Sequence, residues 1–147
     1  GKKFYDDFLK LLKNECDNYD CTYELVRMKQ PLLEVRNNPV CGDYARKAVA
    51  KYLGEDALYD VEPWMASETF GLTLSLFPGV FTFTGIANKE KGCGGNHHTP
   101  QFDIDEEGLR AGVVAGVGYA LDMLDAKPEI EFKQNTEDPV QLGLRGM

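Results

Sequence analysis

The sequence predicts an α/β fold, and three observations carry that expectation. Two stretches, Phe4 to about Asn14 and Asn38 to Leu53, repeat apolar residues at helical spacing. One stretch, VFTFTGI from Val80 to Ile86, is β-branched and aromatic, with Phe81 and Phe83 on one face and Val80, Thr82 and Thr84 on the other. A third helical run follows an acidic start at Asp103 and Asp105 and carries Gly112, Gly116 and Gly118.

In the first helix, Phe4, Phe8, Leu9, Leu11 and Leu12 form the stripe. NECDNYDC after it reads as a polar turn. Thr22–Met28 reads as a strand, ended by Gln30-Pro31. EVRNNP is a linker. Asn38 caps the next helix, Pro39 takes its first position, and Gly54 stops it. Val40, Tyr44, Ala48 and Tyr52 line one face.

A short strand is expected at Ala57–Val61, then a helix from a Ser67 cap through Leu76. Pro78-Gly79 turns the chain into the Val80–Ile86 strand. ANKEKGCGGN is a loop whose glycines serve flexibility or let the backbone approach something bound. Asp103 or Asp105 caps the last helix, and Asp103 with Glu106 has capping-box spacing. Leu109, Val113, Val117, Ala120 and Leu124 are its apolar side, and its glycines imply a helix buried on a sheet or helix. Ile130–Lys133 is a candidate edge strand in a charged tail.

The 147 residues suffice for one domain with a core. A net charge of −8 argues against a nucleic-acid partner. No apolar run reaches membrane-spanning length. No secretory signal is visible, and the chain opens on Gly-Lys-Lys, as after processing or cloning. Cys16, Cys21, Cys41 and Cys93 form no CxxC pair. Reduced thiols in a cytoplasmic protein are the favoured reading, with a Cys16–Cys21 disulfide as the alternative.

Candidate chemistry concentrates in NHHTPQFDIDEEG. The chain's two histidines, His97 and His98, are adjacent there. A catalytic zinc takes three protein ligands, and neighbouring side chains on an extended backbone point apart. One of the pair at most then reaches a given metal. The plain alternative is a polar loop leading into a capped helix, whose acidic residues favour the helix dipole. Glu68 stands beside Trp64, Met65 and Phe70; an apolar setting would raise its pKa, while a place at a helix start would explain it without catalysis. No GxxxxGK[ST] or GxSxG motif is present.

Four ordered motifs resemble one family: Leu53-Gly54 closing a helix, MASETF at Met65–Phe70, PGVFTFTG at Pro78–Gly85, and HTPQFDIDE at His98–Glu106 before a long helix. This arrangement resembles the zinc-dependent aminoacylase and carboxypeptidase family, especially its amidohydrolase branch acting on N-acyl amino acids, over at least Asn37–Leu124. The resemblance implies part of a three-layer zinc-peptidase-like catalytic domain, preceded by a remnant of a smaller inserted α+β domain. Residues 1–36 would be the lid or dimerisation remnant, 37–126 the C-terminal part of the catalytic domain and 127–147 a tail.

By the same resemblance His98 takes a metal-ligand position, His97 flanks it, and Glu68 is the motif glutamate near the active site. Thr69 departs from the family's aspartate. The family supplies its other ligands and its general-base glutamate from an N-terminal half. The expectation is therefore a C-terminal fragment, inactive alone. The complete enzyme would be a cytoplasmic hydrolase and possible homodimer, with two divalent ions, zinc or manganese. It would act on a small amide or short peptide, with no nucleic-acid or membrane partner. A non-catalytic α/β binding or assembly domain is the alternative.

Overall fold

The computed structural model describes residues 2–26, 33–66 and 68–137. Among these, the regular elements are helical: α1 (Lys2–Asn18), α2 (Pro39–Leu53), a 3-10 turn (Glu55–Ala57), α3 (Phe70–Leu76) and α4 (Glu107–Ala126). None of these helices is long and apolar enough to cross a membrane.

The expected α/β class, with its three-layer portion and α+β remnant, is therefore corrected. The only β-type pairing among the described residues is an isolated antiparallel bridge between Asn88 and Cys93. Val80–Ile86 has no regular secondary structure, and neither do 22–26, 58–61 or 130–133. Alternation describes which side chains would share a face. A strand also needs a neighbouring backbone to complete its hydrogen bonds. Around 79–86 those bonds go elsewhere. The side chain of Asn37 donates to the Phe81 carbonyl (3.0 Å) and accepts the Phe81 N–H (2.8 Å). The Asn38 N–H reaches the Gly79 carbonyl (2.9 Å), and the Asp105 N–H reaches that of Ile86 (2.8 Å). Arg27, Met28, Gln30, Pro31 and the Ser67 cap lie outside the described residues.

The chain divides into two compact units. The first comprises the described residues of Gly1–Arg36, Met65–Phe77 and Lys133–Met147. In it, α1 extends past the expected end to Asn18, into the stretch read as a turn, and Tyr19 and Asp20 then form the turn. A Lys13–Asp17 pair one helical turn apart supports that extension. The Cys21 N–H then closes back on the Cys16 carbonyl (2.9 Å). Helix α3 lies tight on the chain at Leu33: a Cβ built on Gly71 would stand 2.3 Å from the Leu33 carbonyl oxygen.

The second unit comprises Asn37–Trp64 and Pro78–Phe132. Its core is the packing of α2 on α4. The Asn38 side chain caps α2 as expected, accepting from the N–H groups of Val40 (3.0 Å) and Cys41 (3.3 Å), and donates to the Glu131 carbonyl (3.1 Å). Gly54 ends the helix at φ 100°. Cys41, Ala45 and Ala48 are buried. Lys51 and Tyr52 both donate to the Asp122 carboxylate, at 2.6 and 2.9 Å.

Helix α4 turns Gly108, Gly112 and Gly118 inward, whereas Gly116 is exposed. Gly108 and Gly112 lie against residues 84–86, and Gly118 lies under the ring of Tyr52. The stripe expected to be buried is open to solvent: Leu109 is 55 % exposed, Val113 65 %, Val117 55 % and Leu124 70 %. Close backbone approach selects the small-residue face for the interior. The expected sheet beneath the helix is absent among the described residues.

Candidate functional site

The two histidines ride on a loop tied at both ends. At its start, Asn88 and Cys93 exchange backbone hydrogen bonds (3.0 and 2.8 Å). The Asn88 carbonyl side-chain oxygen takes the Glu90 N–H (3.1 Å), and Gly92 and Gly94 adopt φ of 75° and 138°. These two glycines supply backbone geometry that other residues resist. Next, Gly95 passes so near Gln101 that a Cβ there would stand 2.1 Å from the Gln101 carbonyl oxygen. Gly95 and Gln101 thus close the base of the loop that carries His97 and His98.

Within the loop, the Thr99 hydroxyl donates to the Asn96 carbonyl (2.6 Å), and the Phe102 N–H to that of Thr99 (3.1 Å). His98 sits at φ 66°, in the left-handed region. That turn brings the two imidazoles together: their ring centroids are 5.1 Å apart at an interplanar angle of 73°. The extended-backbone argument, which sends adjacent side chains apart, does not apply to this turn.

His97 is set among aromatic rings. Its imidazole meets Trp64 edge-on at 5.1 Å and Phe102 at 6.4 Å, and Trp64 in turn meets Phe83 at 5.4 Å. Both histidines are exposed. Periodicity alone did not reveal this ring cluster, because Trp64 lies far from His97 in sequence.

The neighbouring carboxylates are engaged in other bonds. Asp103 accepts the Ile104 N–H (2.8 Å), not an imidazole N–H. Asp105 accepts from Asn88 Nδ2 (2.6 Å), Lys91 Nζ (2.7 Å) and the Glu107 N–H (3.3 Å). The Lys91 ammonium, then the Asn88 amide, hold its carboxyl below the usual range. Neither capping alternative matches in full: Glu106 occupies the cap position of α4 without a side-chain bond, while Asp105 serves the first turn. Cys93 is buried, and burial pushes its thiol up.

Glu68 belongs to the other unit and is exposed. Its carboxylate accepts the N–H groups of Thr69 (2.6 Å) and Phe70 (3.1 Å) at the start of α3. Thr69, where the family pattern has aspartate, makes no side-chain cap bond to that helix. Among the described residues, no three His, Cys, Asp or Glu side chains gather so as to hold a metal ion. The donors present do not by themselves fit a zinc or manganese centre.

The two imidazoles are exposed on a braced loop beside the start of α4, and among the described residues no metal-holding cluster forms there. Comparison with known proteins places the chain's kinship. The chain is 28% identical to thermostable carboxypeptidase 2 of Saccharolobus solfataricus, over 81% of this chain and 30% of that protein. It is 25% identical to an IAA-amino acid hydrolase of Arabidopsis thaliana, over 81% of this chain and 28% of that protein. It is 33% identical to N-acetyldiaminopimelate deacetylase of Lactococcus lactis, over 77% of this chain and 28% of that protein. No family model matches the chain, and no solved structure does. The chain is a distant homologue of the amidohydrolases and carboxypeptidases, and it spans less than a third of the length of these relatives.

Proposed function

We propose that this chain is the C-terminal portion of a metal-dependent amidohydrolase or peptidase that cleaves N-acyl amino acids or small peptides. The observation that carries the reading is the His98-Thr99-Pro100 motif, standing in order after three other family motifs, in a chain whose relatives are named for hydrolysis. On this reading residues 37–126 are part of the catalytic domain, 1–36 belong to a lid or dimerisation domain, and 127–147 are a tail. The complete protein is a cytoplasmic enzyme acting as a homodimer.

His98 contributes one ligand to a centre of two divalent ions, zinc or manganese, and His97 flanks it. Such ions, when bound, would supply the chemistry of water activation. Residues beyond this chain complete the centre, and among the described residues no metal-holding group gathers. Within the chain, the turn at His98 aims the imidazole, and the rings around His97 hold the loop that carries it. Glu68 precedes His98 in the motif order, and its carboxylate organises the start of α3.

Two measurements test this. The chain alone, supplied with zinc or manganese, is expected to leave N-acetyl amino acids intact; metal-dependent turnover would overturn its incompleteness. In the protein encoded by the full reading frame, His98→Ala is expected to lower bound metal per chain strongly and His97→Ala less. Unchanged metal in both folded variants would remove the loop from the centre and favour a binding or assembly role.

A further inference from the structure

We propose that Asp105 is the positioning residue of the histidine loop, setting the aim of His97 and His98 without touching either. The proposal rests on the reading of His98 as a metal ligand, and its geometry stands independently.

The loop has two arms. The arm before the histidines leaves the Asn88–Cys93 bridge, and the arm after them passes Asp105 two residues before α4 begins at Glu107. Asp105 joins both arms and the helix. One carboxylate oxygen accepts from Asn88 Nδ2 at 2.6 Å, and the other from Lys91 Nζ at 2.7 Å. Its backbone N–H reaches the Ile86 carbonyl (2.8 Å), and its carbonyl receives the Gly108 N–H (2.9 Å). The side chain is only 15 % exposed, against 54 % for that of Lys91. A partly buried carboxylate accepting a charged donor forms a stronger tie than a neutral contact. With the base also closed by Gly95 against Gln101, the loop between has little freedom except at its tip. A ligand needs its aim fixed by neighbours that do not themselves react.

The test reads the imidazoles by NMR in the intact chain without metal. His97 lies edge-on to Trp64 and Phe102, so ring currents displace its carbon-bound proton resonances from those of a free histidine. In Asp105→Ala that displacement is expected to fall by more than half. Asp105→Asn, which keeps one acceptor oxygen and the shape, is expected to retain most of it. Lys91→Ala, at an exposed side chain, is expected to move the signals in the same direction by less, and covers the case in which Asp105→Ala does not fold. Asp122→Ala is the control: it cuts the tie between α2 and α4 and is expected to leave the histidine signals in place. Unmoved signals in folded Asp105→Ala, or in Lys91→Ala if the former is unfolded, would overturn the proposal. Equal movement in Asp122→Ala would also overturn it, by showing general loosening. Because no metal is present, failure of the His98 ligand role would leave these outcomes unchanged.

Discussion

The ring of Tyr52 lies on Gly118, so near that a Cβ on Gly118 would stand 2.4 Å from the Cδ2 atom of the ring. This contact joins α2 to α4, and the hydroxyl of the same tyrosine bonds Asp122 one turn further along α4. Gly118→Ala forces the ring away and strains that bond. The expected loss is about 1–3 kcal/mol, the usual cost of overpacking. Urea unfolding followed by circular dichroism checks it; a neutral result would show that the helices slide apart freely.

The opposite side of α4 should be tolerant. Val113 and Val117 are more than half exposed. Val113→Ser and Val117→Ser are each expected to change the stability of this chain by no more than about 0.5 kcal/mol, as surface substitutions do. A loss above about 2 kcal/mol would mean that this face is buried after all, as its sequence pattern suggested.

His98 holds φ 66°, where a Cβ crowds the carbonyl that follows. Glycine relieves that crowding but loses more entropy on folding. His98→Gly is therefore expected to be more stable than His98→Ala by roughly 0.5–1 kcal/mol. Thermal denaturation of the two variants compares them without any assay of function. Equal midpoints would show that the turn relaxes on substitution.

Alkaline pH should weaken the chain through Tyr119. Burial, then the Cys41 thiol beside it, push the Tyr119 pKa from 10.0 up to about 12. Between those values the unfolded chain has released a proton that the folded chain keeps. The stabilisation is complete below pH 10 and is lost as pH rises toward about 12. Lys51, raised by its bonds to Asp122 and Tyr52, acts with the same sign. The difference between wild type and Tyr119→Phe isolates the phenol. Denaturant midpoints at pH 9 and pH 11 should fall further apart in wild type than in the variant; parallel falls would remove Tyr119 as the cause.

The sequence by itself determined the parts that depend on neighbours along the chain. Asn38, Pro39 and Gly54 mark the ends of α2 because a cap is made by residues within one turn of the helix. The long helix after Asp105 and the glycine-bearing loop before His97 were legible for the same reason, as was the order of motifs behind the proposed hydrolase reading. Tertiary structure decided the rest. Val80–Ile86 has the alternation of a strand, yet its hydrogen bonds go to distant partners: Phe81 pairs with the side chain of Asn37, and Ile86 with the backbone of Asp105. Which face of α4 turns inward depended on how closely Tyr52 approaches Gly118. The pairing of His97 with His98 depended on one left-handed residue, and the tie through Asp105 on the side chains of Asn88 and Lys91, more than ten residues earlier in the chain. A helix closes its hydrogen bonds within four residues and can be read locally. A strand, a buried face or an aimed side chain is completed by atoms far along the chain, whose positions only the folded structure supplies.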